Sequence, residues 1–577
     1  MRVLAAEYPL CETEGLPMLE FAPGVAAGSL QVSRSGDSVR IAYGELCDAL
    51  RGVGAALAGL PTAGGVISEK RPFTTLGIML DCSRNAVMEV DHLRTWLRRL
   101  ALFGYNMIML YTEDTYQLPG EPWFGFMRGA YSADDLKAVD DYAARLGIEM
   151  IGCIQTLGHL RQILKWEAYR EIKDTSSVLL VDQPATYALI QKMIGTFAGC
   201  FRSRRIHIGM DEAHDLGRGR YLDLHGYERP FDIFNRHLGK VAGICAEHGL
   251  RPMIWSDMYF RMGSRTGDYY DAQAVIPPEV KAAIPTGVDL VYWDYYHRDE
   301  ETYRNFIAMH RDLGQVPIMG SGVWTWGKIW YDRFITEATV APCIKACAQE
   351  GVKELFFTLW GDDGAYCEFD SALAGIAFAA AEVFGEDESA LRARHEAVCG
   401  IAYEEVLLAG EMEKYETSDL LWDDPVVGLH MSQMRSQQPS YWDEALSHYR
   451  RLARRLSRYR SKTEPVDMAH ALGLARYLAA RIDFRHRLEE AYLTRDSAGL
   501  AAVTARAVRM ARMTEQVLES FRRQWSRRNR SAGFEHMEAR LGALRQRYVG
   551  LAAALRALTA GQRQAIAEID EILAYPG

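Results

Sequence analysis

No apolar run in this chain approaches the ~20 residues needed to cross a bilayer as a helix. There is no basic excess either. Lysine and arginine total 66 against 76 aspartates and glutamates, a net charge of −10, which argues against a general nucleic-acid binder. Cysteine is sparse, ten in 577 residues. Cys343 and Cys347 are the one close pair, and four apart on a helical stretch is not a zinc-knuckle spacing. No zinc knuckle is therefore expected, and the function read further on implies no metal or organic cofactor. The thiols read as reduced, as in a cytoplasmic protein. The opening, Met1-Arg2-Val3-Leu4-Ala5-Ala6-Glu7, lacks the sustained apolar stretch of a secretion signal. No Gly-x-Gly-x-x-Gly follows the first strand-like run of the main domain, so a dinucleotide-binding doubly wound sheet loses its marker. Internal repeats and low-complexity segments are also missing.

What is present is ordinary folded-protein composition, 49% hydrophobic and 25% charged. Residues 1–69 mix short β-like runs (Ser29–Val32, Ser38–Ala42) with a helical stretch, Tyr43–Leu57, and close on Pro61-Thr62-Ala63-Gly64-Gly65. They read as a small α/β domain. From residue 70 to about 390, strand-like and helical runs alternate. The strand candidates are Leu76–Asp81, Met107–Tyr111, Glu149–Ile154, Arg205–Gly209, Pro252–Ser256, Leu290–Trp293, Val316–Gly320 and Leu355–Leu359. Short apolar runs of this kind suit strands buried on both faces. Helical patterns lie between them (Asp91–Phe103, Ser132–Leu146, Tyr187–Phe201, Phe231–His248, Asp332–Glu350), and Gly147 and Gly249 stand where C-caps belong. Eight such strands make an α/β fold, a (β/α)8 barrel, the leading architecture. From 391 to 577 the pattern turns to long Ala-, Leu-, Arg- and Glu-rich helices (Asp443–Ser461, Met468–Tyr492, Ala498–Arg523, Glu535–Leu573), a C-terminal α-helical domain. A homodimer built through these helices is left open by the sequence.

Chemistry concentrates after the fourth strand, in Arg205-Ile206-His207-Ile208-Gly209-Met210-Asp211-Glu212. Two adjacent carboxylates stand at the C-terminal mouth of a barrel strand, the edge where barrel enzymes carry their sites. By position alone, Asp211 and Glu212 could equally cap the helix that follows. Glycosyl cleavage needs an acid for the leaving oxygen and a group to stabilise an oxocarbenium-like sugar, and most retaining enzymes set two carboxylates about 5 Å apart. Neighbouring residues diverge, so one can meet the glycosidic oxygen and the other a substituent on the next carbon.

The pattern His-x-Gly-x-Asp-Glu resembles the signature of glycoside hydrolase family 20, the β-N-acetylhexosaminidases. The resemblance implies Glu212 as general acid/base in a partly desolvated pocket, with Asp211 holding the acetamido N–H of a substrate whose own carbonyl oxygen attacks C1. Other strand ends are similar to the family's. Leu80-Asp81-Cys82-Ser83-Arg84 resembles its Asp-x-x-Arg, which implies that Arg84 binds the 3- and 4-hydroxyls. Tyr111-Thr112-Glu113-Asp114 resembles Leu-Thr-Asp-Asp, with Glu113 in place of the first aspartate. Leu157-Gly158-His159-Leu160 resembles Pro-Gly-His-Ala without its proline. By the same resemblance, His159 and Asp114 stand behind the acid. Trp255, Trp293, Trp324, Trp326 and Trp360 fall at or just past strands five to eight, where flat rings bury sugar C–H faces. Trp324 and Trp293 are implied as walls of an acetamido box and Trp360 as the floor under the pyranose ring. A tyrosine hydroxyl should donate to the acetamido oxygen. Strand alternation favours Tyr295, on the face of Trp293, over Tyr296. The family's Trp-x-Glu is replaced by Trp360-Gly361-Asp362, one methylene shorter, with Glu368 as a substitute acid. The implied function is exo-acting removal of terminal β-GlcNAc or β-GalNAc from glycans or glycoconjugates, without nucleic-acid or membrane partners. The alternatives are a conventional two-carboxylate glycosidase and a non-catalytic sugar-binding protein on the same barrel.

Overall fold

The computed structural model describes residues 3–5, 7, 8, 18–362, 364–459 and 465–575. Near the N-terminus, β1 (Met18–Pro23), β2 (Ser29–Ser35), β3 (Ser38–Tyr43) and β4 (Val66–Lys70) form a sheet in the order β1-β3-β2-β4. β2 and β3 are the two runs legible from the sequence; the outer strands, largely exposed, carry too weak an apolar alternation to be read. The helix Leu46–Leu57 packs on this sheet and opens on a capping box made by Glu45 and Asp48. Its Arg51 is buried and pairs with Glu69 at 2.5 Å and Glu386 at 3.1 Å. Arg394 joins Glu386 and also donates to the Arg51 carbonyl. Four buried charges are thereby paired within the N-terminal sheet, its helix and the last barrel helices.

The main body is a closed parallel barrel: β5 (Thr75–Asp81), β6 (Met107–Tyr111), β7 (Glu149–Cys153), β8 (Arg205–His207), β9 (Arg251–Trp255), β10 (Asp289–Trp293), β11 (Ile318–Gly322) and β12 (Glu354–Leu359). β12 pairs with β5 to close the ring, Leu355 opposite Leu76. Each expected strand is present, shifted by two residues or fewer at either end; β8 stops at His207, two residues early. Beyond it the backbone leaves strand geometry, with left-handed φ at Gly209 (70°), Met210 (75°) and Glu212 (48°). Gly147 and Gly249 have the expected left-handed conformation past their helices.

The chain divides into two compact units, and neither is continuous in sequence. The first holds residues 1–324, 335–360 and 375–399; the second holds 325–334, 361–374 and 400–577. The helix Glu388–Cys399 thus stays with the barrel, and the segments following β11 and β12 group with the C-terminal helices. In that second unit Tyr441–Leu456, Met468–Thr494, Ser497–Arg528 and Glu535–Thr559 pack consecutively. Asp467 and Asp496 cap two of them, each accepting backbone N–H bonds from the first turn. The run expected to continue from Glu535 to Leu573 breaks at left-handed Gly561 and resumes as Ala567–Leu573. No described helix is long and apolar enough to cross a membrane.

Candidate active site

The mouths of β7 and β8 approach each other closely because two glycines permit it. A Cβ on Gly209 would lie 1.9 Å from Gln155 Oε1, and one on Gly158 would lie 2.6 Å from the Asp211 carbonyl oxygen. Gln155 uses that proximity. Its amide donates to Asp211 Oδ1 at 2.8 Å and to the Tyr111 hydroxyl at 2.9 Å, and its carbonyl oxygen accepts the Met210 N–H at 3.3 Å. A lone glutamine gives no motif, which is why the sequence did not single it out. His207, beneath, is wholly buried and accepts the Gly209 N–H on Nδ1. Burial pushes its pKa down to about 3, so it is a neutral structural ring.

Asp211 and Glu212 sit in unlike surroundings. Asp211 is buried, with His159 Nε2 3.1 Å from its Oδ2. Burial alone would raise its pKa, but the His159 charge and the bonds from His159 and Gln155 prevail, and the carboxyl is held below the usual range. His159 moves the other way. Burial opposes its charge, yet Asp211 and Glu113 lift it to about 9. The Glu212 side chain remains 38% exposed. Its Oε2 lies 3.5 Å from His159 Nε2, and its Oε1 accepts from the Tyr269 hydroxyl at 3.4 Å. It is neither fully exposed nor bridged to lysine or arginine. A third acid beside them, Asp257, just past β9, is buried, and the sequence gave no reason to choose it. Asp257 accepts the Glu212 N–H at 3.1 Å, and burial followed by the Asp211 charge pushes it up to about 8.

The partner of His159 on β6 is Glu113, whose Oε1 is 3.8 Å from Nδ1. Asp114, expected in that place, faces away and pairs with Arg128 at 3.2 Å. Alternation past β6 explains the exchange: Tyr111 and Glu113 share one face, and the Tyr111 hydroxyl donates to Glu113 at 3.3 Å. Glu113 also lies 3.5 Å from Arg84 Nε, while Arg84 Nη1 holds Asp81 at 3.2 Å. The Arg84 guanidinium covers the rings of Tyr111 (4.6 Å) and Trp360 (5.2 Å).

The aromatic residues separate into wall and core. Trp293 stacks on Tyr295 with centroids 5.3 Å apart and planes at 19°. The buried Tyr295 hydroxyl takes hydrogen bonds from Trp360 and Thr358. Tyr296 is half exposed and meets Trp324 edge-on at 5.6 Å. Trp255, expected to touch substrate, is 1% exposed, packed between His207, Phe356 and Trp360, and offers no open ring face. Three further residues lie in the second unit. Trp326 is buried, and Asp362 is half-buried in the segment 361–374. Glu368, expected as a substrate acid, is buried against Arg528 and Asp370 of that unit, and burial raises its pKa to about 7 despite the arginine. Its pairing is internal to the helical domain. Among the described residues, one group with metal-ligand geometry occurs, Glu45, Cys47 and Asp48. Arg71 pairs with Glu45, and Asp48 accepts the Gly28 and Glu45 N–H groups, so these acids are already engaged.

Residues 73–276 match the model "Glycosyl hydrolase family 20, catalytic domain", and residues 409–575 match "Glycoside Hydrolase 20C C-terminal domain". The human protein named Hexosaminidase D is 25% identical over 240 residues, which is 40% of this chain and 46% of that protein. The Bos taurus Hexosaminidase D is 27% identical over 199 residues, 33% of this chain and 55% of that protein. The chain thus matches about half the length of these relatives. The crystal structure of a GH20 exo β-N-acetylglucosaminidase from Vibrio harveyi superposes with a TM-score of 0.51 at 15% identity, over 67% of this chain and 68% of that one, which shows a shared fold. One family model spans β5 to β9 with the Asp211-Glu212 mouth and a second spans the C-terminal helices; the chain belongs to glycoside hydrolase family 20.

Proposed function

We propose that this protein is an exo-acting β-N-acetylhexosaminidase that removes terminal β-GlcNAc or β-GalNAc by substrate-assisted, retaining hydrolysis. The observation that carries the reading is the contrast between two adjacent carboxylates. Asp211 is buried and kept ionised by His159 and Gln155, whereas Glu212 is partly open and free of any lysine or arginine. Two carboxylates in unlike environments are suited to different tasks. In the proposed first step the acetamido oxygen attacks C1 while Glu212 gives its proton to the departing glycosidic oxygen. Asp211, close to the acetamido N–H, stabilises the positive oxazolinium as it develops. Water then adds to C1 and returns a proton to Glu212. Trp293, Tyr295 and Trp324 enclose the acetamido methyl, and Arg84 takes the 3- and 4-hydroxyls. The nine described cysteines are buried and unbridged, which supports action in a reducing, cytoplasmic setting.

The test is a parallel rate comparison on aryl β-GlcNAc, β-GalNAc and β-glucoside substrates, with a thiazoline inhibitor that mimics the oxazolinium. Turnover of both acetamido sugars within about two decades of kcat/KM, under ~3 kcal/mol of discrimination, is expected, together with thiazoline inhibition and little glucoside cleavage. Equal cleavage of the glucoside without thiazoline inhibition would point to the conventional two-carboxylate mechanism. No turnover of any of them would leave a sugar-binding protein.

A further inference from the structure

Three features outside the expected constellation could do chemistry. They are the buried acids of the helical domain, the exposed aromatic cluster of Trp123, Phe126 and Trp166, and Asp257. The first is paired internally with Arg528. The second has open ring faces, but nothing about it specifies an occupant. Asp257 is placed against the reacting groups themselves.

We propose that Asp257 is a positioning residue for the general acid, a neutral carboxylic acid that grips the Glu212 peptide N–H and so aims the Glu212 side chain at the glycosidic oxygen. This rests on the role of Glu212 proposed above. Glu212 has a left-handed backbone, φ 48°, and such a conformation in a non-glycine residue persists only where its surroundings impose it. The Asp257 Oδ2 accepts the Glu212 N–H at 3.1 Å, the contact best placed to impose it. Asp257 begins the helix Asp257–Gly263 immediately after β9, so its carboxyl is carried by a rigid element. The groups around it are acids, phenols and an indole. Asp211 and Glu212 face it from the β8 mouth, Tyr269 and Tyr270 from the loop 264–277, and Tyr292 and Trp293 from β10. Its neighbour Ser256 is bonded to His310, which burial keeps neutral. Its carboxyl also takes a hydrogen bond from the Trp293 indole, which ties it to the aromatic wall of the site. A cavity of about 10 Å³ beside it is at the lower limit for one water. Arg261, four residues on, lies over the Tyr269 ring, and among the described residues no lysine or arginine pairs with Asp257; burial and the Asp211 charge push it up to about 8.

The experiment compares wild type, Asp257→Ala and Asp257→Asn on aryl N-acetylhexosaminides with good and poor leaving groups, from pH 5 to 9. An acid out of position matters most where the leaving group needs a proton. Asp257→Ala should therefore lose about 30- to 100-fold in kcat on poor leaving groups and under about fivefold on the most acidic phenol, with KM little changed. Asp257→Asn keeps an acceptor for the Glu212 N–H and cannot ionise. It should recover most of that loss across the pH range. Equal loss on all leaving groups, or Asn as damaging as Ala, would overturn the proposal. The first outcome makes Asp257 a folding residue only, and the second makes it a working carboxylate. An unaffected Ala variant would overturn it as well. If wild type turns over none of these substrates, the family activity proposed above fails instead.

Discussion

Replacing Gly209 by alanine tests the packing of the site more directly than removing any charged group. Gly209 has φ 70°, a conformation that costs an L-residue about 1–2 kcal/mol. The added methyl would also sit 1.9 Å from Gln155 Oε1 and 2.5 Å from its Cδ, so the amide must move. Moving it breaks a bond to the ionised Asp211, worth about 1.5–3 kcal/mol, and bonds to Tyr111 and Met210 worth about 0.5–1.5 kcal/mol each. The sum is roughly 3–6 kcal/mol if part of the network re-forms elsewhere. At about 2 °C per kcal/mol for a large domain, Tm should fall by about 6–12 °C. Activity should fall further than stability implies, because Asp211 loses the donor that fixes its carboxyl plane. We expect kcat to drop about 10- to 100-fold at saturating substrate. Thermal unfolding and steady-state kinetics on an aryl N-acetylhexosaminide measure both. Gln155→Ala, which leaves the backbone unstrained, should reproduce the kcat loss with a smaller Tm change. An alanine variant with wild-type Tm and kcat would mean that the Gln155 amide has room to move and does not position Asp211.

Three further outcomes follow from the same geometry. His159 is charged up to about pH 9, so its pairing stabilises the fold fully below its unfolded pKa near 6.5 and is lost as pH rises through about 9; the depressed Asp211 contributes above about 3.9 and is lost only in strong acid. His159→Gln should therefore flatten the fall in Tm between pH 6.5 and 9.5, and an unchanged slope would show that the pair does not form. Trp324→Ala should lower the ratio of 2-acetamido to 2-hydroxy sugar cleavage as well as the rate, whereas an unchanged ratio would make this ring structural. Arg528→Met strands Glu368 and Asp370 without their cation, which costs about 3–5 kcal/mol for a buried pair broken on one side. The loss should appear as a lower unfolding temperature, partly restored by adding Glu368→Gln, and no shift would mean the acids are already neutral.

The barrel was legible because each buried parallel strand is a short apolar run between polar helices, a pattern that survives without any tertiary information. The β8 mouth was legible as a motif but not as a shape. Nothing in Gly209-Met210-Asp211-Glu212 announces three left-handed residues, since only glycine adopts that region cheaply. Glu113 and Asp114 are adjacent acids, and which one faces inward depends on where the strand ends, a matter of one residue. Gln155 and Asp257 escaped because their importance lies in what they touch, across 56 and 45 positions of sequence respectively. Glu368 misled for the reverse reason: it follows a barrel strand, but its partner lies 160 residues further on.

That separation has a consequence for how the protein is made. The segments after β11 and β12 are finished by residues that do not yet exist when they leave the ribosome. The Ile329 and Trp330 N–H groups await Glu413, the Gly327 carbonyl awaits Ser418, and Glu368 awaits Arg528. At roughly 5–20 residues per second, Glu368 emerges some ten to thirty seconds before the arginine that will bury it. These two segments must therefore wait without their partners, and in a chain ending at Cys399 they would wait indefinitely. The helical unit is in this sense assembled from both ends of the chain's second half, and a message truncated at Cys399 would yield two segments, 325–334 and 361–374, without the partners that complete them.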